Sequence, residues 1–202
     1  MIENIVFDLG RVLIQWDPYG YMLKNFGEPV ATFLNDNLFE AREWNLLDKG
    51  ELEEDLLWQM MLERFPQYAQ HITHMKENVL QILLPIEENT KLLPQLKTMD
   101  YKLYVLSNFG KRGFDYVYKT YEFFKYFDGM VISYRVKQIK PDSQIYKILI
   151  ENYNIDPSKS IFIDDKLENT QTAQKIGFKV IHLKDHTVLK GELQRIIGKQ
   201  LA

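Results

Sequence analysis

Five short apolar runs, set apart by stretches of helical periodicity, constrain the fold of this chain more than any other feature. They fall at residues 4–7, 101–107, 129–134, 160–164 and 178–183. Segments with helical spacing occupy 87–99, 114–127, 142–153, 168–176 and 188–197. Strands covered on both faces read as nearly continuous hydrophobic runs. Their alternation with helices argues for an α/β fold, a parallel sheet with helices on both faces. Asp142 or Ser143 is expected to cap the helix that follows it, and Gly177 to close the helix before it.

The alternation fails between about residues 17 and 84. Leu34, Leu38 and Ala41 recur at helical spacing, as do Leu52, Leu56 and Met60 with Leu57 and Met61. Gly50 and the acidic Glu51, Glu53 and Glu54 fit a helix entry, where negative charge meets the positive end of the dipole. Pro66 and Pro85 are expected breaks. Several helices in succession do not fit a simple βα repeat. The expected organisation is a sheet core of residues 1–15 and 86–202, with residues 16–85 as an inserted helical cap after the first strand.

Each apolar run near the sheet ends in a group with chemistry. Asp8 closes Ile5-Val6-Phe7, Ser107 and Asn108 close Leu103–Leu106, Lys140 follows the third run, and Asp164 and Asp165 close Ile161-Phe162-Ile163. In open α/β sheets the carboxyl ends of neighbouring strands face one crevice, where ligands bind. A carboxylate, a hydroxyl with an amide, an ammonium and an acidic pair meeting there suit Mg²⁺-assisted chemistry on a phosphate. A carboxylate at a strand end can attack phosphorus and form an acyl phosphate. Of the adjacent acids, one can bind a metal while the other holds a metal-bound water or Lys140. Mg²⁺ takes one or two carboxylates, substrate phosphate oxygens and waters. Lys140 is a compact cation suited to phosphate. Asn169 is placed to orient the loop or Lys140.

Composition narrows the function classes. A net charge of -3 leaves no basic footprint for nucleic acid. No apolar run reaches the roughly 18–20 residues of a membrane span, and the first residues lack the basic and apolar regions of a secretory signal. The absence of cysteine excludes disulfides, thiolate zinc sites and cysteine nucleophiles. A cytoplasmic protein acting on a small-molecule phosphate ester is expected, with no obligate protein partner evident.

The motifs Ile5-Val-Phe-Asp-Leu-Gly-Arg-Val-Leu13, Val105-Leu-Ser-Asn108, Lys140-Pro-Asp-Ser-Gln-Ile-Tyr146 and Ile161-Phe-Ile-Asp-Asp165, with Asn169 and Gly177, stand in the order of the haloacid dehalogenase-like hydrolases. Over residues 2–184 the chain resembles that superfamily, nearest to its α-D-glucose-1-phosphate phosphatase group and the phosphatase domain of soluble epoxide hydrolases. The resemblance implies a Rossmann-like core with a helical cap. It implies Asp8 as nucleophile and Mg²⁺ ligand, with the Gly10 carbonyl and Asp165 completing the protein ligands. It implies that Ser107, Asn108 and Lys140 hold the phosphoryl group, with Asp164 behind them.

Two positions depart from the family pattern. Gly10 stands where the superfamily's phosphatases usually carry a second Asp, which protonates the leaving oxygen and then activates water. General acid–base catalysis typically contributes about 10²–10⁴-fold, so slower turnover rather than none is expected. A sugar C1 oxygen is less basic than an ordinary alkoxide and needs protonation less. Anomeric sugar phosphates, acyl phosphates and aryl phosphates are therefore the expected substrates, with Asp17 or a cap residue as a substitute acid. Lys137 stands where glycine is common.

Two other readings compete. A metal-independent 2-haloacid dehalogenase shares the aspartate nucleophile, but usually carries serines where this chain has Asp164 and Asp165. A catalytically weak phosphate-ligand-binding protein on the same fold is the other. Trp16, Tyr19 and Trp44 are expected to pack the cap helices, with walling of the cleft as the alternative. His71, His74, His182 and His186 read as surface or interface residues.

Overall fold

The computed structural model describes all 202 residues. Five strands, β1 (Asn4–Phe7), β2 (Lys102–Ser107), β3 (Gly129–Ile132), β4 (Ser160–Asp164) and β5 (Lys179–His182), form one sheet. All neighbours are parallel, in the order β3-β2-β1-β4-β5. From β1 the chain builds outward through β2 to β3, then crosses back to β4 on the other side. The strand order therefore reverses at β1, which puts the ligand crevice at its carboxyl end.

Five helices separate β1 from the rest of the sheet: α1 (Pro18–Phe26), α2 (Glu28–Leu34), α3 (Arg42–Asp48), α4 (Glu54–Arg64) and α5 (Ala69–Asn78). Then come α6 (Glu87–Thr90) and α7 (Leu92–Thr98) before β2, and α8 (Lys111–Thr120) before β3. The chain continues through α9 (Ser133–Val136), α10 (Ser143–Tyr153), α11 (Leu167–Ile176) and α12 (Leu189–Ile197).

Side-chain alternation along each strand sorts the core into two faces. Ile5, Phe7, Leu103, Val105, Ile161 and Ile163 pack on one face with α7, α8 and α12 residues such as Leu93, Phe114 and Leu193. Val6, Tyr104, Leu106 and Phe162 pack on the other with Ile145, Tyr146 and Leu149 of α10 and Ala173 of α11. This is the Rossmann-like arrangement. A third cluster holds α1 to α5 together around Met22, Leu34, Trp58, Met61, Ile72 and Met75. The chain enters and leaves this helical layer side by side. Gln15 N donates to the Leu84 carbonyl at 2.7 Å, and Ile86 N to the Leu13 carbonyl at 2.8 Å.

Several boundaries differ from the sequence expectation, each for a local reason. The segment 87–99 is two helices, broken at Lys91. Pro94 sits in the first turn of α7, where its missing N–H is not needed. The segment 114–127 ends as α-helix at Thr120 and continues as a 3₁₀ turn, Glu122–Tyr126. Strand β3 stops at Ile132, because Ser133 begins a helical turn. The buried stripe of α4 is Leu57, Trp58 and Met61, while Leu56 is 48% exposed. That helix starts at Glu54, with Glu54 and Asp55 in its first turn. Asp142 caps α10 by accepting from Gln144 N at 2.9 Å, and Gly177 closes α11 at φ +115°.

Candidate active site

Register places the polar strand ends within one residue of one another. Phe7 pairs with Val105 on one side and Ile163 on the other. Asp8 is the next residue, and its N–H donates to the Ile163 carbonyl at 2.9 Å, extending the ladder by one step. Asp164 ends β4 at the level of Asp8, and Ser107 ends β2 one residue further on. All three are buried.

Lys140 is the centre of the constellation. Its side chain is 1% exposed, with Nζ 2.7 Å from Asp164 Oδ2 and 2.9 Å from Asp8 Oδ1. Nζ also donates to the Leu106 carbonyl at 2.9 Å. Two protons of the ammonium are committed to Asp164 Oδ2 and the Leu106 carbonyl, and Asp8 is its ion-pair partner. Burial pulls the Lys140 ammonium down, but Asp164 and Asp8 outweigh it and hold the group above its ordinary value. It stays charged across the accessible pH range.

Asn108 fixes Lys140 through the backbone. Its Nδ2 donates to the Lys140 carbonyl at 3.0 Å, and Lys140 N donates to Asn108 Oδ1 at 2.8 Å. The amide expected on the phosphoryl group is thus committed to holding the lysine. Ser107 differs: its hydroxyl is buried without a hydrogen-bond partner and borders Asp8. An orphan hydroxyl in such a place is a ready donor to an incoming oxygen.

The two adjacent acids have distinct environments. Asp164 is fully buried and saturated, accepting from Lys166 N at 2.8 Å and Asn169 Nδ2 at 2.9 Å on Oδ1 and from Lys140 on Oδ2. Asn169 is set in turn by the Tyr146 hydroxyl, which donates to its carbonyl at 2.9 Å. Asp165 is 14% exposed at the side chain, and its nearest cation is Arg11 Nη1 at 3.9 Å. Carboxylate oxygens of Asp8, Asp164 and Asp165 lie within 4.8 Å of one another. Asp8 Oδ1 makes no hydrogen bond despite its short approach to Lys140. Burial, then the neighbouring carboxylates, pushes Asp8 up against the pull of Lys140; burial and Asp164 push Asp165 up as well. Three carboxylates facing one ammonium leave an excess of negative charge on hard oxygen donors, which fits Mg²⁺. Gly10 borders the same cavity as Asp8, Asn108, Lys140 and Asp165.

One carboxyl escaped the sequence reading. Asp48, the last residue of α3, enters the cavity that holds Asp8 and Lys140 from the helical layer. Burial pushes its carboxyl up to about 7, against the pull of Lys166 and of the Gly110 N–H. Nothing local in its sequence marks it, since a helix-end aspartate is ordinary. Asp17 is instead used as the cap of α1, accepting from Gly20 N at 2.9 Å.

The aromatic residues both pack and wall. Trp16 and Trp44 stack with ring centres 5.8 Å apart, and Phe39 meets Trp16 edge-on at 5.8 Å. Both indoles also line the cavities beside Gly10, and Tyr19 borders the polar one. The histidines need correction. His71 and His74 sit half-buried against Phe26, with His74 Nε2 2.9 Å from the Tyr21 hydroxyl, because the helical layer closes over them. His182 ends β5 beside the site, its Nε2 3.0 Å from the Asp165 carbonyl oxygen. His186 is 46% exposed.

Comparison with known proteins agrees with this geometry. The family model described as haloacid dehalogenase-like hydrolase matches residues 37–183. A sesquiterpene phosphatase of Aspergillus oryzae is 26% identical over 196 residues, 96% of this chain and 95% of that protein. A phosphorylated carbohydrates phosphatase of Thermotoga maritima is 25% identical over 201 residues, 95% of this chain and 89% of that one. A haloacid dehalogenase family enzyme of Bacteroides thetaiotaomicron, solved with magnesium and inorganic phosphate, superposes with a TM-score of 0.66 at 25% identity, covering 90% of this chain and 93% of that one.

Proposed function

The chain belongs to the haloacid dehalogenase-like hydrolases, and from that premise we propose that it is a Mg²⁺-dependent phosphatase of small phosphorylated metabolites, with Asp8 as nucleophile. The observation that carries this reading is the meeting of Asp8, Asp165 and Lys140 at one strand-end crevice, 2.9 Å separating Asp8 Oδ1 from Lys140 Nζ. The phosphatase names of two relatives and the magnesium and phosphate held by a structural neighbour support it.

Asp8 and Asp165 would hold the metal, with Gly10 contributing its carbonyl. Bound there, Mg²⁺ supplies charge neutralisation and in-line orientation of the phosphoryl oxygens. The protein's own groups do the rest. An Asp8 oxygen attacks phosphorus, the bond to the alcohol oxygen breaks, and an aspartyl phosphate forms. Water then attacks that phosphorus and releases inorganic phosphate and Asp8. Lys140, pinned by Asn108 and Asp164, keeps a fixed positive charge beside the phosphoryl group throughout, and needs no reorganisation when charge develops. Ser107 donates its free hydroxyl to a phosphoryl oxygen. Asp48 takes the acid–base work that Gly10 leaves open: protonated, it donates to the leaving oxygen, and ionised, it then accepts a proton from water. Residues 16–85 act as a cap over this crevice.

Asp8→Asn is expected to abolish hydrolysis of p-nitrophenyl phosphate in a protein that still folds; retained turnover would remove Asp8 as nucleophile. Chelating Mg²⁺ is expected to stop the same reaction, and undiminished hydrolysis in chelator would end the metal model. The dehalogenase reading is disfavoured because Asp165 is left without a close cation partner. Release of chloride from a 2-chloroacid without metal would reverse that ranking.

A further inference from the structure

Next to the polar crevice lies a second cavity of about 90 Å³. Its inner end is formed by Gly10, Asn108 and Asp48, which also border the cavity of Asp8 and Lys140. The two spaces therefore share a wall at the strand-end crevice. Apart from Glu54, the side chains of the remaining wall are apolar: Trp16, Trp44, Leu47, Leu80, Leu83 and Phe109 converge on it from the helical layer and the sheet core.

Its charged and amide groups are already engaged. Glu54 Oε1 accepts from Trp58 Nε1 at 3.0 Å and from Arg112 Nη1 at 2.8 Å. Asn108 is bound at both ends to the Lys140 backbone. Asp48 meets the Gly110 N–H and borders both cavities. A sugar ring brought here would bury hydroxyls against aliphatic and indole surface, and a buried polar group without a partner is costly. An apolar group meets the opposite balance, because each buried CH₂ is favourable. The volume also selects: drug-sized ligands occupy pockets of roughly 300–1,000 Å³, so this space takes one ring or a short branched chain.

We propose that this cavity is the leaving-group subsite and that the enzyme's substrates are phosphate monoesters of compact apolar alcohols, aryl, benzyl or short isoprenoid, in place of sugar phosphates. The assignment rests on the phosphatase reading of Asp8. Enclosing an apolar group also keeps water away from the alcohol side of phosphorus while Asp8 attacks from the other.

The test compares leaving groups of similar basicity. With Mg²⁺, wild-type kcat/KM is measured for benzyl phosphate, dimethylallyl monophosphate and glucose 6-phosphate, with acetyl phosphate as a minimal activated substrate. One methylene more or less in an apolar pocket is worth about 10–200-fold. Both apolar esters are expected to exceed glucose 6-phosphate by more than tenfold, mostly through lower KM. Leu80→Gln is expected to shrink that ratio, and an unchanged ratio in a folded variant would remove the pocket as its source. Hydrolysis of acetyl phosphate with a ratio of ten or less overturns the subsite while leaving the phosphatase standing. Failure to hydrolyse acetyl phosphate or any ester overturns the phosphatase reading and the subsite with it.

Discussion

On the proposed mechanism, turnover of ordinary alkyl esters depends on Asp48 and Gly10. A glycine at position 10 removes one carboxyl from the first strand end, and Asp48 brings another in from α3. Burial holds that carboxyl near 7, where a group can both give and accept a proton. Asp48→Asn is expected to lower kcat for benzyl phosphate by about 10²–10⁴-fold. Its effect on kcat/KM for p-nitrophenyl phosphate should be far smaller, because nitrophenolate leaves without a proton and the later hydrolysis of the aspartyl phosphate, common to both esters, does not enter kcat/KM. Equal losses in kcat/KM on both esters would remove Asp48 as the proton donor. Gly10→Asp is the complementary variant, since a Cβ there meets only Trp16 Cβ at 3.9 Å, and it is expected to restore benzyl phosphate turnover in the Asp48→Asn background. The same shift predicts a stability effect. A raised carboxyl pKa means that the folded chain binds more protons than the unfolded one between the ordinary 3.8 and about 7. Stability therefore falls as pH rises through that window. In urea titrations Asp48→Asn should be the more stable protein above pH about 7 and should lose that advantage below its parent's ordinary 3.8.

At the level of elements, α9 is the joint between the helical layer and the sheet. Ser133 Oγ accepts from Phe109 N at 2.8 Å and donates to the Asp48 carbonyl, so one hydroxyl ties β2's loop to the end of α3. Lys137, closing α9 in the left-handed region at φ +56°, donates to the Gly50 carbonyl just past α3. Glycine suits that backbone best, and the lysine is held there by its reach across to the helical layer. Ser133→Ala leaves a buried N–H and a carbonyl unpaired, at a cost of about 1–3 kcal/mol. It should also lower kcat on benzyl phosphate, because Asp48 loses its tether. A urea midpoint and kcat both matching wild type would show that the tether is dispensable. Only Lys137, standing where glycine is common, hinted at this joint in the sequence; the apolar run at 129–134 simply continues through Ser133. Strands were readable because burial on both faces demands unbroken hydrophobicity. The breaks at Pro66 and Pro85 were readable too, but the turn at Lys91 and the exposed side of Leu56 were not, since they are decided by what packs against them.

Over the whole molecule, sequence order was enough to foresee that Asp8, Ser107, Lys140 and Asp164 converge, because parallel strands deliver their carboxyl ends to one crevice. Separate parts for Asp164 and Asp165 were implied by the family resemblance alone; the physical difference between these adjacent carboxylates is that one is fully buried against Lys140 and the other partly exposed. That convergence stores a conflict in the folded state. Burial and mutual repulsion raise Asp8 and Asp165, so the folded chain holds protons that the unfolded chain releases, and the metal-free protein loses stability as pH rises above the ordinary 3.8 of a carboxyl. A divalent cation bound only by the folded chain reverses this, adding about 2.7 kcal/mol at a hundredfold excess over Kd. Protons compete with the cation for the same oxygens. The rise in Tm on adding Mg²⁺ is therefore expected to be larger at pH 8 than at pH 5, and to vanish in Asp165→Asn. Calorimetry at the two pH values, with and without Mg²⁺, measures it. A Mg²⁺ shift of equal size at both pH values, or one that survives Asp165→Asn, would separate the cation from this crevice.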